Sequence, residues 1–219
     1  MSQTTLFLLL NASVATIYMV VVSSLFATLV GLPLGIILFV TRKGNILEQP
    51  AVYQILAMIV NTMRSIPFII LMIAVIPLTR LLVGSSIGVN AAIVPLSLAA
   101  MPFIARVVEN ALLEVNRGLI EAATAMGATS WQIIRKVLIP EALPGIINGL
   151  TLAIVSLIGF SAMAGAVGGG GLGDLAIRYG YHRFDVTMMF LTIVIMIALV
   201  QLVQFSGDYL AKRFSRHKN

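Results

Sequence analysis

A chain of 219 residues that is 59% apolar and only 10% charged, with a mean hydropathy of +1.05, carries less than half the charge of an ordinary soluble domain, about 25%, and cannot coat a globule with solvated side chains. Its 14 Lys and Arg against 8 Asp and Glu leave a charge of +6, but long uncharged stretches separate the cations, which excludes the patch or stripe that nucleic acid requires. The absence of cysteine excludes a disulfide frame and a Cys-based metal site.

Residues 1–41, 81–105, 142–173 and 186–207 contain no Asp, Glu, Lys or Arg, and 49–79 contain only Arg64. Each stretch exceeds the roughly 20 apolar residues that cross a bilayer. The first lacks a basic start and outruns the short apolar region of a signal peptide. It is too long for one span and too short for two with a turn. Residues 2–11 are therefore expected as a surface or fraying segment, and helices are expected over 14–41, 51–78, 87–112, 141–164 and 185–210. The fold class that follows is all-α and integral to the membrane, with five transmembrane helices in a single domain over 1–219.

Orientation follows from the Lys and Arg near the helix ends. With the amino terminus outside, the inner side receives Arg42, Lys43, Arg106, Arg117, Arg135, Lys136, Lys212, Arg213, Arg216 and Lys218, and the outer side receives only Arg80, Arg178 and Arg183. The bias predicts an outer amino terminus and an inner carboxyl terminus. The basic tail from Lys212 is expected to lie against anionic lipid.

Between the third and fourth helices, residues 113–140 form the one long inner connection, and its pattern is helical. Leu119 to Met126 reads as a short helix, and Gly127 suits the left-handed residue that stops one. Thr129 and Gln132 have capping-box spacing for a second helix. Trp131, Ile133, Ile134 and Val137 supply apolar side chains and Gln132, Arg135 and Lys136 polar ones. Pro140 is expected to open the next helix, where its missing N–H costs nothing. The product is a helix–turn–helix elbow, which either lies on the membrane or docks on another protein.

Glu121-Ala122-Ala123, Gly127 and Ile139-Pro140 resemble the EAA signature of ABC-importer permeases: Glu-Ala-Ala, three residues, Gly, nine residues, Ile, one residue, Leu-Pro. Val137 stands for the Ile and Ile139 for the Leu, both still apolar. Arg64-Ser65-Ile66-Pro67-Phe68, the run from Trp131 to Pro144, the glycine-rich 165–173 and Tyr179-Gly180-Tyr181 resemble the methionine-importer permeases over most of the chain. The resemblance implies a type I ABC importer permease fold in a multi-pass protein of the bacterial inner membrane. It implies a homodimer, two ATP-binding cassette subunits inside and a methionine-binding lipoprotein outside. In such a permease the elbow is the coupling segment, here Glu121, Ala122, Ala123, Gly127, Trp131 and Pro140, while ATP and Mg belong to the partner ATPase.

Several motifs have two readings. Gly168 to Gly173 matches G-x-G-x-x-G, but it follows a membrane helix rather than a strand, so a dinucleotide loop is excluded. No phosphate-binding G-x-x-x-x-G-K-[ST] occurs, so the chain is expected to be no enzyme and to bind no cofactor, with energy entering through a partner. The glycine run, with Gly168 and Gly170, either forms part of an outer gate or is a close-packed turn. Arg64 falls about 20 Å along the second helix, near mid-membrane. It reads first as a clamp on carbonyls or acids, with Asn61 and Ser65 helping to satisfy it, and second as a contact for a substrate carboxylate or gate. Met163, beside Ser161 and Phe160, is either core filler or, by the resemblance, near the path. Pro67, Pro77, Pro95 and Pro102 kink helices and either line a path or shape the bundle. His182 and His217 have no neighbouring carboxylate cluster or nucleophile, so neither a metal site nor a catalytic triad is expected. The function read here is ATP-driven import of methionine by alternating access. The competing readings are an importer of betaine, phosphonate or another amino acid, and a channel or scaffold subunit without a pump.

Overall fold

The computed structural model describes residues 3–215. Arg216, His217 and Lys218 of the expected basic tail lie outside the described residues. Among the described residues the regular structure is entirely helical: α1 (Gln3–Thr41), α2 (Pro50–Ser65), α3 (Phe68–Ala74), α4 (Ile76–Val83), α5 (Val89–Leu113), α6 (Arg117–Ala125), α7 (Ser130–Ile133), α8 (Ile139–Gly165), α9 (Gly171–Leu175) and α10 (Val186–Ser215), with π-helical turns at Ile134–Leu138 and Ala176–Tyr181. Four uninterrupted helical stretches are long and apolar enough to cross a membrane, and the bent pair α2 and α3 supplies a fifth if it counts as one span.

The structure corrects three expectations. Residues 3–11 do not fray. They belong to α1, a single helix of 39 residues, because Leu9 and Ala12 are buried against Leu172, Leu175 and Met188 and no charge or glycine interrupts the run before Gly31. The second expected helix, 51–78, is three helices, with an angle of 101° between α2 and α3. Pro67 has no N–H to donate and disfavours helical angles at Ile66. Ser65 Oγ turns back to donate to the carbonyl of Asn61 at 2.9 Å, and Pro77 then sits in the first turn of α4, where it is tolerated. Finally, Pro140 does not open a separate helix. Residues 130–165 are one helical stretch, and the turn before the proline widens so that Ile139 N–H donates to Ile134, five residues back. Widening the turn eases the proline ring past the preceding carbonyls without breaking the helix.

The chain divides into two compact units. Unit one holds the residues up to Ala27, Ile66–Ala100 and Ala153–Gln204, and unit two holds Thr28–Ser65, Met101–Leu152 and the residues from Phe205 onward. In unit one the core is Leu9, Ala12, Leu172, Leu175 and Met188, with Tyr179 and Leu191 packed on it. In unit two Leu38, Ala57, Val60 and Ala105 form a core with Leu34, Tyr53 and Leu56. There α5 is gripped by two pairs of glycines spaced four apart, the spacing that lets helix backbones approach. A Cβ at Gly35 would lie 2.5 Å from the Ala105 carbonyl, and one at Gly149 would lie 1.6 Å from Val107 Cγ1.

Candidate functional site

The elbow, within unit two, is built almost wholly from local signals. Asn116 caps α6 by accepting the N–H of Gly118 at 2.9 Å. At the other end Gly127 takes φ +80°, its N–H donates to Thr124 at 2.9 Å, and that of Ala128 donates to Ala123 at 3.1 Å. This pair of bonds is the Schellman stop that the αL residue permits. Thr129 then begins α7 through the expected capping box: Gln132 N–H donates to Thr129 Oγ1 at 3.4 Å and Thr129 N–H to Gln132 Oε1 at 2.9 Å. Ala123, Ile133, Ile134 and Leu138 are buried, whereas Met126 is 81% and Trp131 68% exposed. Glu121, Ala122, Gly127 and Pro140 are exposed too. The elbow thus fixes its own underside and presents a mixed surface on which Glu121, Met126 and Trp131 stand out beside the cations Arg117, Arg135 and Lys136.

Beside it the α1–α2 loop is pinned down. Gly44 N–H donates to Glu48 at 3.0 Å and the Asn45 side chain to the Phe39 carbonyl at 2.6 Å. Loop and elbow enclose a groove of about 330 Å³ whose walls include Asn45, Arg117, Glu121 and Ser130. Among the described residues no three His, Cys, Asp or Glu gather to hold a metal.

The path and gate candidates fall into two groups. Arg64 and Ser65, in unit two, end α2 and are exposed. The Arg64 guanidinium lies 5.7 Å from the centre of the Phe103 ring, while Asn61 and Ser65, expected to satisfy it, are engaged elsewhere. Ser65 bonds the helix backbone, and Asn61 Oδ1 accepts from Arg106 Nη2 at 2.7 Å. Arg106 also pairs with Glu109, which is 1% exposed and whose second oxygen has no partner among the described residues. This polar cluster escaped the sequence reading, in which Arg106 counted only as an end-of-helix charge. The signal was an acid three residues beyond a base on an otherwise apolar helix.

Pro67, Ser161, Met163, Gly168 and Gly170 belong to unit one. Pro67 precedes α3, where Phe68 stacks on Phe160 with ring centres 4.8 Å apart. Ser161 is buried and donates to the Ile158 carbonyl at 2.7 Å, so its hydroxyl is spent on its own helix, whereas Met163 is half exposed. The glycines reverse the chain after α8: Gly168, Gly170 and Gly171 all have positive φ, and the Gly168 carbonyl accepts from Gly88 N–H at 2.9 Å. A Cβ at Gly165 would lie 2.3 Å from Asp174 N, and one at Gly171 would lie 2.6 Å from Thr16 Oγ1. Thr16 Oγ1 also accepts the N–H of Leu172 at 2.8 Å. Next to this turn is a largely apolar cavity of about 240 Å³, bounded by Met72, Ile76, Ala91, Ala164 and Gly169.

Residues 31–216 match the family described as the binding-protein-dependent transport system inner membrane component. Over 206 residues, 94% of this chain and 92% of the relative, the sequence is 55% identical to the "Probable D-methionine transport system permease protein" of Vibrio cholerae. It is 54% identical over 165 residues to the D-methionine transport system permease protein of Escherichia coli K12, covering 75% of this chain and 76% of that one. A solved structure of inward-facing conformations of the MetNI methionine ABC transporter superposes with a TM-score of 0.96 at 51% identity, over 98% of this chain and 99% of that one. An amino acid ABC transporter at 18% identity still reaches a TM-score of 0.71, a likeness of fold alone.

Proposed function

We propose, from the premise that this chain belongs to the binding-protein-dependent transport system inner membrane components, that it is the permease subunit of a methionine importer and that its elbow takes up the work of a separate ATPase. The chain is a multi-pass inner-membrane protein with the type I ABC importer permease fold. The observation that carries the coupling reading is the elbow's construction: a self-capped short helix, α6, turned by Gly127 into the capped start of the long helix 130–165, with a buried underside and an exposed face that includes Glu121, Met126 and Trp131. A passive pore needs no such element.

In this reading 1–219 is one permease domain and 113–140 is its coupling segment, with Glu121, Ala122, Ala123, Gly127, Trp131 and Pro140 as the residues that shape or make the contact. Two copies of the chain assemble, because one elbow serves one ATPase subunit and a type I importer has two. ATP and Mg bind those subunits, and a methionine-binding lipoprotein delivers substrate from the other side. The amino terminus lies outside. What supports this is the sequence bias: ten Lys and Arg lie near the helix ends on the side this makes inner, against Arg80, Arg178 and Arg183 on the other. ATP closing the ATPase pair moves the elbows, and the helices rock between two states, each open to one side. Arg64, Ser65, Pro67, Ser161, Met163, Gly168 and Gly170 shape the path or its gate. Of these, Met163 presents its side chain and Ser161 serves its own helix.

The test is methionine uptake into proteoliposomes holding this subunit, its ATPase and its binding protein. Uptake is expected only with ATP and binding protein together. Equal uptake without ATP would mark a passive channel and end this reading.

A further inference from the structure

From Val186 to Gly207 α10 carries no charged residue, a length of about 33 Å at the standard rise, close to the roughly 30 Å of a bilayer's hydrocarbon core. Asp208 is the first charge beyond it, so the last two turns of α10 stand at headgroup depth. There α10 and α8 enclose a groove of about 410 Å³ lined by Pro144, Asn148, Asp208, Ala211, Lys212 and Ser215. One turn away the helices are in tight contact, since a Cβ at Gly207 would lie 2.0 Å from Thr151 Oγ1. Asp208 and Lys212 are one helical turn apart and share a face of α10, with the Asn148 amide on α8 lining the same groove. Elsewhere on α10, Phe205 and Tyr209 are exposed, and tyrosine at this depth is the usual interfacial anchor.

We propose that this groove binds the headgroup of a zwitterionic glycerophospholipid whose amine is primary, phosphoethanolamine. The Lys212 ammonium receives the phosphate, the Asp208 carboxylate accepts from the lipid ammonium, and the Asn148 amide completes the phosphate or ester contacts. A carboxylate offers about four lone-pair sites, so it takes an ammonium without giving up another contact. Both signs of charge in one groove match a zwitterion, whereas a site for a purely anionic lipid would gain nothing from Asp208. Quaternary ammonium groups are held by aromatic rings, and among the described residues none lining the groove is aromatic, which points to an amine with N–H to donate. The acyl chains then run along the exposed apolar side of α10.

The inference rests on the reading of α10 as a membrane span, and its test separates the two. The permease–ATPase complex is reconstituted in vesicles of equal parts phosphatidylethanolamine, phosphatidylcholine and phosphatidylglycerol and extracted in mild detergent, and the retained lipids are quantified by mass spectrometry. Phosphatidylethanolamine should be enriched over both others. Asp208→Asn should lower its retention about tenfold, as loss of a charge-assisted contact implies, leaving it equal to phosphatidylcholine. Lys212→Gln should lower all three, and Lys43→Gln, a cation on another helix end, should change nothing. Enrichment of phosphatidylglycerol, no enrichment in the wild-type complex, or a cysteine at Asn148 cross-linking to its counterpart in a second copy would overturn the proposal. The wild-type measurement decides even if a variant fails to assemble. Methionine uptake by the same vesicles reports independently on the transport reading.

Discussion

Gly127 in the elbow and Gly171 in the glycine run hold nearly the same backbone angle, φ +80° and +75°, and they are glycines for different reasons. A side chain at Gly127 would meet nothing within 4 Å, whereas one at Gly171 would press on Thr16 Oγ1 at 2.6 Å and Met19 Cε at 2.8 Å. The hydrogen bonds of the elbow's turn and caps reach no further than five residues along the chain. The run is held from afar: Leu172 bonds Thr16 across 156 residues of sequence. The elbow is therefore a conformational element with a free face, and the glycine run is a packing element whose missing side chains make room. Substitution in the first should spare the subunit and disturb whatever the elbow touches. Substitution in the second should damage the subunit itself.

The largest effect on the subunit is expected from Gly165→Val and Gly171→Val. At Gly165 the obstacle is backbone, Asp174 N at 2.3 Å, which cannot swing aside. Overpacking costs about 1–3 kcal/mol or more, and at Gly171 the strain of a positive φ adds about 1–3 kcal/mol. Both variants should lose most of the folded subunit recovered from detergent-solubilised membranes, and Gly127→Val should not. Equal losses at Gly127 and Gly171 would dissolve the distinction.

Thr16→Val sharpens it, because it keeps the shape and removes only the acceptor. The buried N–H of Leu172 is then orphaned, at about 1–3 kcal/mol. A lowered thermal midpoint is expected, smaller than for Gly171→Val. An unchanged midpoint would mean that space alone fixes the run.

In the elbow the expectation turns from stability to coupling. Gly127→Val strains the turn by about 1–3 kcal/mol at a place where nothing else need move, and Glu121→Lys, at the middle of α6, reverses the charge of an exposed side chain on the face offered to the ATPase. Both subunits should insert and dimerise, yet uptake and binding-protein-stimulated ATP hydrolysis in proteoliposomes should fall together. Wild-type uptake in both would show that 113–140 is not the coupling segment.

The same contrast explains what the sequence made legible. The Gly127 stop and the Thr129–Gln132 box depend on residues within a turn of one another, so spacing alone located them. The caps at Asn116 and Asp185, whose side chain accepts Met188 N–H at 3.0 Å, were equally local but were not read. What spacing could not reveal depends on distant partners. Residues 3–11 form helix because Leu9 and Ala12 find Leu172, Leu175 and Met188, and Asn61 serves Arg106 rather than Arg64 because α2 and α5 bring them together. The glycine pairs 31/35 and 145/149 lay in plain view, but which helix they embrace is a tertiary fact. At Pro67 the kink was readable and its size, 101°, was not. The proline removes a bond and leaves the new direction to packing.

The smallest expected effect tests whether the elbow is as self-contained as its bonds suggest. Thr129→Ala deletes the hydroxyl that accepts from Gln132 N–H, and loss of an N-cap costs about 1 kcal/mol. Because α7 runs on into α8 without a break, that loss should fray the start of the helix rather than unfold it. Hydrogen exchange should show it as about a fivefold faster amide at Gln132, the factor that 1 kcal/mol gives, with the amides of 171–175 unchanged. Thr129→Ser keeps the acceptor and should restore slow exchange. Asn116→Ala should act in the same way at Gly118 and leave Gln132 alone, since the Schellman turn closes α6 on its own carbonyls and the Thr129–Gln132 box closes the start of α7 on its own. If either cap variant instead speeds exchange across both arms and in the glycine run, the elbow is held by long-range packing as the run is. Its exposed face would then be a consequence of the fold, and the case for a docking element built on its own local bonds would be lost.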